Sequence, residues 1–422
     1  MKKLVITFLI LSLTFGLKLK AQDTLSLERC RDAALSNFPL TKAIELYQQS
    51  GKFMTDKNSA SYFPRLNLNS QATWQSQVTS IDLSGLPFPV NITPPPNDQY
   101  KAVVEINQLI YDGGLTRKLN AIQINETEIN IAGVKVEQYK IIDQINQLYI
   151  NILLLNKQLE LTELTKELIE QKLKKAEAGI RNGIFLQSHA DILKAEMLKI
   201  EQQFKNLYYR KKSLLESLSK LTGLSISENT VFSEIKEESI QVKISRPEEA
   251  LFDFQKKLID KRIELLSVSR LPKLYAFGQM GFGRPGLNFL SNEFKPYAIA
   301  GASLNWNIWD WHQSKNEKNS LEIQKEIIET KRQTFEQSLD ILSVTEKNNI
   351  DKFNEAILRD AEIIALREKI TKVASSQLDN GTITATEYLA ELNAEMQARL
   401  NLEVNKLLLL QAKMNLNFIK GY

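Results

Sequence analysis

The stretch LNLNSQATWQSQV, Leu66 to Val78, repeats with a period of two residues. One face holds Leu66, Leu68, Ser70, Ala72, Trp74, Ser76 and Val78; the other holds Asn67, Asn69, Gln71, Thr73, Gln75 and Gln77. Side chains along a strand point to opposite faces in turn, so the spacing predicts a strand with one apolar and one amide face. An exposed face of a soluble sheet usually carries Lys and Glu. Amides opposite small apolar and aromatic residues suit water on one side and lipid on the other. PYAIAGASLNWNIW, from Pro296, sets Ala298, Ala300, Ala302, Leu304, Trp306 and Ile308 against Gly301, Ser303, Asn305 and Asn307. KAVVEINQLI, from Lys101, alternates more loosely, with Ala102, Val104, Ile106 and Ile110 opposite Lys101, Glu105 and Asn107. LYAFGQMGFG, from Leu274, is apolar on both faces.

Four such segments predict membrane-spanning strands whose lumen side carries Asn67, Asn69, Gln71, Gln75, Glu105, Asn107, Asn305 and Asn307. Four strands cannot close a membrane barrel, for which ~8 is the known minimum, and lipid tolerates no open sheet edge. The chain must therefore oligomerise to seal the sheet. Aromatic placement fits the same picture. Trp74, Tyr111, Trp306, Trp309 and Trp311 stand in or at the ends of strand segments, and indole favours the bilayer interface, with an apolar ring and a wet N–H. An aromatic core and a ligand-stacking platform are the competing readings of these tryptophans.

The N-terminus addresses the compartment. Lys2 and Lys3 precede an uncharged run from Leu4 to Leu17 and a small residue, Ala21, which reads as a secretion leader over residues 1–21. That leader holds four lysines and no acid, which leaves 50 basic against 50 acidic residues. The pI of 8.7 therefore owes little to the exported part and argues for no nucleic-acid partner. Cys30 is the single cysteine, so no internal disulfide is possible. Its upstream SLER lacks the small apolar pattern of a lipidation site, and a half-buried helical cysteine is the better reading.

The chain is written twice. Pro39 and Pro64 are matched by Pro247 and Pro272, Asp112 by Asp310, and RNG at Arg181–Gly183 by DNG at Asp379–Gly381. Each copy reads helix, strand, strand, very long helix, helix. The first repeat covers 22–245, with strands about 65–78 and 100–111 and a helical hairpin about 114–223. The second covers 246–422, with strands about 273–283 and 297–310 and a hairpin about 313–418. Proline is absent from Asn97 to Arg246 and beyond Tyr297, which suits uninterrupted helix. Ile145, Leu148, Ile152, Leu155 and Leu159 recur at heptad spacing and predict a coiled-coil seam.

This order of features resembles the TolC family of outer-membrane efflux proteins. LSLERCRDAALSNFPL, SRPEEALFDFQKKLIDKRIELLSVSRLPKL, QLIYDGGLTRK and the two hairpin turns carry the resemblance, which spans the chain beyond the leader. It implies an α+β membrane protein: a homotrimer whose strands form a 12-stranded outer-membrane barrel, continuous with a periplasmic α-helical barrel. It further implies a channel of a tripartite efflux or type I secretion system, partnered by a periplasmic adaptor and an inner-membrane pump. In the family an acidic residue six positions after the turn glycine lies near the closed tip. That position is Glu387 after Gly381 and His189 after Gly183, with Asp191 beside it. These three are the expected gate residues, although Glu387 is also favourable simply as a helix N-terminal acid. Arg181, Asn182, Gly183, Asp379, Asn380 and Gly381 form the tips expected to dock the adaptor.

Enzymatic chemistry finds little support. GFGRPG, Gly281 to Gly286, matches a dinucleotide fingerprint formally, but it contains Pro285 and opens no helix, so it reads as a hairpin turn. Two histidines and one cysteine offer no zinc spacing and no nucleophilic triad. No cofactor is expected. The rival to a channel is an exported soluble coiled-coil adaptor or scaffold, and the cargo (drug, metal or protein) is not legible.

Overall fold

The computed structural model describes residues 24–79, 94–235, 246–289 and 291–421. The expected leader lies outside them. In chain order the helices and strands are α1 (Leu27–Asn37), α2 (Lys42–Ser59), β1 (Arg65–Trp74), β2 (Asp98–Tyr111), α3 (Leu115–Arg181), α4 (Gln187–Thr222), α5 (Pro247–Ser269), β3 (Lys273–Arg284), β4 (Lys295–Asn305), α6 (Gln313–Asp379) and α7 (Ala385–Lys420). The duplication is visible in the lengths. α3 and α6 are 67 residues each, and α4 and α7 are 36 each. At about 1.5 Å per residue the longer pair each run about 100 Å.

Three expectations need correction. The first repeat opens with two helices rather than one, because Pro39 and a 3-10 turn over Pro39–Thr41 separate α1 from α2. β1 stops at Trp74 rather than Val78: Gln75 donates its N–H to the Asn97 carbonyl (2.8 Å), and Pro96, next on the partner, has no N–H to continue the ladder. β4 stops at Asn305, opposite Lys273, since Pro272 lies beyond. Gln75, Trp306, Asn307, Trp309 and Trp311 therefore lie outside the strands.

Two compact units divide the chain, and each draws on both repeats. The first comprises Met1–Thr41, Lys135–Arg246 and Phe335–Tyr422; the second comprises Lys42–Val134 and Pro247–Thr334.

In the first unit, one core gathers Leu27, Cys30 and Ala34 of α1 with Ile145, Tyr149 and Ile152 of α3 and Leu215 and Leu218 of α4. Cys30 is fully buried there, and burial pushes its thiol up to about 11, so it is an inert packing residue. The Tyr149 hydroxyl lies 2.7 Å from the Leu25 carbonyl oxygen and 2.8 Å from that of Ser233, which ties both chain segments to α3. A second core joins the ends of both hairpins: Ile169, Leu173 and Ala176 of α3, Ala190 and Leu193 of α4, Ala374 and Leu378 of α6, and Ala385, Tyr388, Leu389 and Leu392 of α7. Arg246 stacks near Tyr139 and Phe418 and donates to the Ile419 carbonyl (3.2 Å), satisfying a free acceptor at the end of α7.

In the second unit, α2 lies close on α3 at Gly51, where a side chain would collide with Thr127. α5 is tied to α3 and α6 by Lys118–Glu264 (2.6 Å), Lys256–Glu329 (2.7 Å) and Lys325–Asp260 (2.6 Å), and by Asn125 donating to the Phe254 carbonyl (2.7 Å). Its sheet is antiparallel, in the order β1-β2-β3-β4.

Candidate functional site: a two-faced sheet and two hairpin turns

Register decides what each face of the sheet carries. Leu66 pairs with Ile106 and Leu68 with Val104. Ala102 pairs with Phe282 and Val104 with Met280. Leu274 pairs with Leu304, Ala276 with Ala302 and Met280 with Ala298. Paired residues share a face, so the four apolar stripes fuse into one continuous apolar surface. It is uncovered: Leu66, Leu68, Met280 and Leu304 are 64–74% exposed. β3, undecided from its own sequence, is phased by its neighbours.

The opposite face holds Asn67, Asn69 and Gln71 beside Glu105, Val103 and Lys101, and ends in Asn305 beside Lys273. Asn107 lies opposite Arg65 on the same face. Glu105 accepts from Asn69 (3.5 Å) and Gln279 (3.4 Å), and Gln99 donates to Gln75 (3.4 Å) just past the end of β1. Two glycines admit rings here: side chains at Gly281 and Gly301 would meet Tyr297 and Phe277 respectively. The expected amide residues Asn67, Asn69, Gln71, Glu105, Asn107 and Asn305 thus share one face. Sequence reasoning left out Arg65 and Lys273 of that face, because each opens a strand and was read as its boundary. β1 and β4 each have a partner on one side only among the described residues.

The aromatic residues sit at both ends of the sheet. Trp74 closes β1 opposite Asp98, whereas Tyr111 ends β2 and Trp306 follows β4 at the other end. Trp74, Tyr111, Trp306, Trp309 and Trp311 are all exposed, and Trp311 is 82% so. Within one chain none of them enters either buried core.

Each repeat passes from sheet to long helix through the same junction. Asp112 accepts from the Tyr62 hydroxyl (2.6 Å) and the Gly114 and Thr116 N–H groups (2.7 Å each). Asp310 accepts from the Ser314 N–H (3.1 Å) and hydroxyl (2.5 Å). The two residues after each aspartate are left-handed: Gly113 and Gly114 in one copy, Trp311 (φ 50°) and His312 (φ 65°) in the other. Burial pushes the Asp112 carboxyl up, but the Tyr62, Thr116 and Gly114 hydrogen bonds outweigh it and hold the group at about 2.

The hairpin turns, in the first unit, are near copies. Gly183 (φ 77°) and Gly381 (φ 71°) take the left-handed conformation that ends α3 and α6. Ile184 donates back to the Gly179 carbonyl (2.8 Å) and Thr382 to that of Gln377 (2.9 Å). Arg181, Asn182 and Asn380 are exposed. Asp379 is clasped by Lys172 (2.8 Å) and Lys175 (3.0 Å) of α3, and it lies below the usual carboxylate range because the two lysines outweigh its burial. Glu387 forms a capping box, accepting from the Thr384 N–H (2.7 Å) while its own N–H donates to the Thr384 hydroxyl (3.2 Å). The Thr384 N–H, then its hydroxyl, hold Glu387 below its ordinary value. Asp191 accepts from Gln187 (3.0 Å), and the His189 ring lies 5.6 Å from that of Phe185. Ile184 and Leu186, which sequence reasoning passed over, are exposed apolar residues at the first turn.

Residues 31–224 match the family model described as outer membrane efflux protein. That match takes in a little under half of the chain. No curated sequence relative was found. Among solved structures, the chain is similar to the outer membrane protein VceC of Vibrio cholerae, with a TM-score of 0.70 and 14% identity over 94% of this chain and 96% of that one. It is similar to the Campylobacter jejuni CmeC outer membrane channel, with a TM-score of 0.69 and 13% identity over 96% and 87%. The Neisseria gonorrhoeae MtrE outer membrane channel gives 0.67 and 13% over 94% and 89%. At such identities the likeness speaks to the fold, which this chain and VceC share across both repeats. Among the described residues no His, Cys, Asp and Glu cluster could hold a metal, and none of the helices is long and apolar enough to cross a membrane.

Proposed function

We propose that the protein is the outer-membrane channel of a tripartite efflux or export system, receiving its cargo from an inner-membrane pump through a periplasmic adaptor. The observation that carries this is the two-faced sheet: one mainly apolar face, one face rich in amides and, among the described residues, two edges without a partner strand. Leaving Leu66, Leu68, Met280, Phe282 and Leu304 in water forfeits about 1.5–3 kcal/mol for each side chain. A soluble scaffold has no means of recovering that loss, whereas lipid against this face does, and further copies satisfy the edges. Three copies of the sheet make a closed barrel of the expected size.

The test separates membrane from soluble. The protein stays with the membrane after carbonate washing and needs detergent for release. In intact cells, a cysteine at Asn69 reacts with a water-soluble maleimide while a cysteine at Leu68 does not. Release without detergent, or equal labelling of both, overturns the channel.

Finer roles belong to the turns. Arg181, Asn182, Gly183, Asp379, Asn380 and Gly381, joined by Ile184 and Leu186, present the docking surface for the adaptor. Exposure of the first turn supports this, while Asp379 acts mainly as a clasp. Glu387, with His189 and Asp191 at the matching turn, borders the periplasmic opening, where a ring of carboxylates binds divalent cations.

A further inference from the structure

We infer that the end of the amide face nearest the helices is a binding station for anionic solutes, so that the cargo carries carboxylate, sulfonate or phosphate groups; this rests on the channel reading above. Arg65 opens β1 and Lys273 opens β3, each directly after a proline, at matching places in the two repeats. Register sets Arg65 opposite Asn107 and Lys273 opposite Asn305, which puts both cations on the amide face. With Lys57 of α2 they line a concavity of about 560 Å³, together with Asn67, Asn107 and Tyr275.

The charges around this concavity are unbalanced. Elsewhere on the sheet, Arg284 pairs with Asp98 and Lys295 with Glu293 at 2.9 Å, while Lys101 lies over the Tyr297 ring at 5.9 Å. Among the described residues, Lys57, Arg65 and Lys273 have no ion-pair partner. The one carboxylate lining the concavity, Asp112, has both oxygens occupied by Tyr62, Gly114 and Thr116. Glu105 lies opposite Asn67, one place further along the same face than Asn107, and accepts from Asn69 and Gln279 rather than from Arg65. Three cations against one ionised carboxylate, set among amide side chains, leave the concavity with a net positive charge that attracts anions and repels cations. Were the pair serving lipid headgroups instead, they would stand on the apolar face, with Leu66 and Leu274. They do not.

The trisulfonated dye pyranine serves as the probe, with the purified protein in detergent and fluorescence anisotropy as the readout. Saturable binding is expected. The neutral pair R65Q/K273Q weakens it on the order of tenfold, and Lys212→Glu, an exposed change on α4, leaves it unaltered. In planar bilayers under a salt gradient, the wild-type reversal potential lies on the chloride side, and R65E/K273E moves it toward potassium. Dye binding that ignores the neutral pair, or a conducting channel whose selectivity ignores the reversal, overturns the anion station alone. Failure of the carbonate and labelling test overturns the pore itself.

Discussion

At the residue scale, the aspartate that joins sheet to helix carries more of the structure than its size implies. Asp112 serves three partners, Tyr62, Gly114 and Thr116, and its counterpart Asp310 repeats the role with Ser314. Removing it leaves the first N–H groups of α3 and the Tyr62 hydroxyl without their acceptor. Asp112→Ala is therefore expected to cost about 2–3 kcal/mol of stability, read as a lowered thermal midpoint of the detergent-solubilised protein. The pH dependence follows from the depressed carboxyl. A group whose folded value lies below its unfolded one contributes stability above the unfolded value, and the contribution fades as pH falls through the folded one. Here the window runs from 3.8, the ordinary aspartate value, down to about 2. The gap between wild type and Asp112→Ala should narrow across that interval and close below it; a constant gap would mean the carboxylate charge is not what matters. Both aspartates were legible as a repeated position. That Trp311 and His312 would adopt the backbone of two glycines was not, because left-handed backbone leaves no mark in a pattern of hydrophobicity.

At the scale of elements, the helical hairpins were readable almost to the residue, since a proline-free run closed by Asn-Gly marks its own end. The role of Glu387 is where element and function meet. As an N-cap partner it is replaceable by glutamine, which makes the same box, whereas a gate needs the charge. Glu387→Gln therefore separates the two. With a gate at Glu387, the variant conducts more freely or loses divalent-cation block while its helix content and thermal midpoint stay as in wild type. Unchanged conductance and block in Glu387→Gln, together with a loosened Glu387→Ala, would leave the residue as a cap only. The clasp of Asp379 by Lys172 and Lys175 was hidden from the sequence, because its partners lie on a helix some two hundred positions earlier.

At the scale of the molecule, a four-stranded sheet exposed on both faces and free at both edges does not stand alone. Native mass spectrometry of the solubilised protein is expected to give three times the mass of one processed chain, and a monomer as the stable species would contradict the closed barrel. The sequence by itself determined the secondary structure, the duplication and the two-sided chemistry of three strands, since a two-residue or seven-residue rhythm is a local property of neighbouring side chains. It could not phase β3, which is apolar throughout, nor place Arg65 and Lys273 together beside the amides. Those were decided by inter-strand register and by the meeting of Lys57 of α2 and the start of α3 with the strand ends around one concavity. Register is set by hydrogen bonds between segments distant along the chain, and a shift of one residue would have turned every side chain of β3 to the other face.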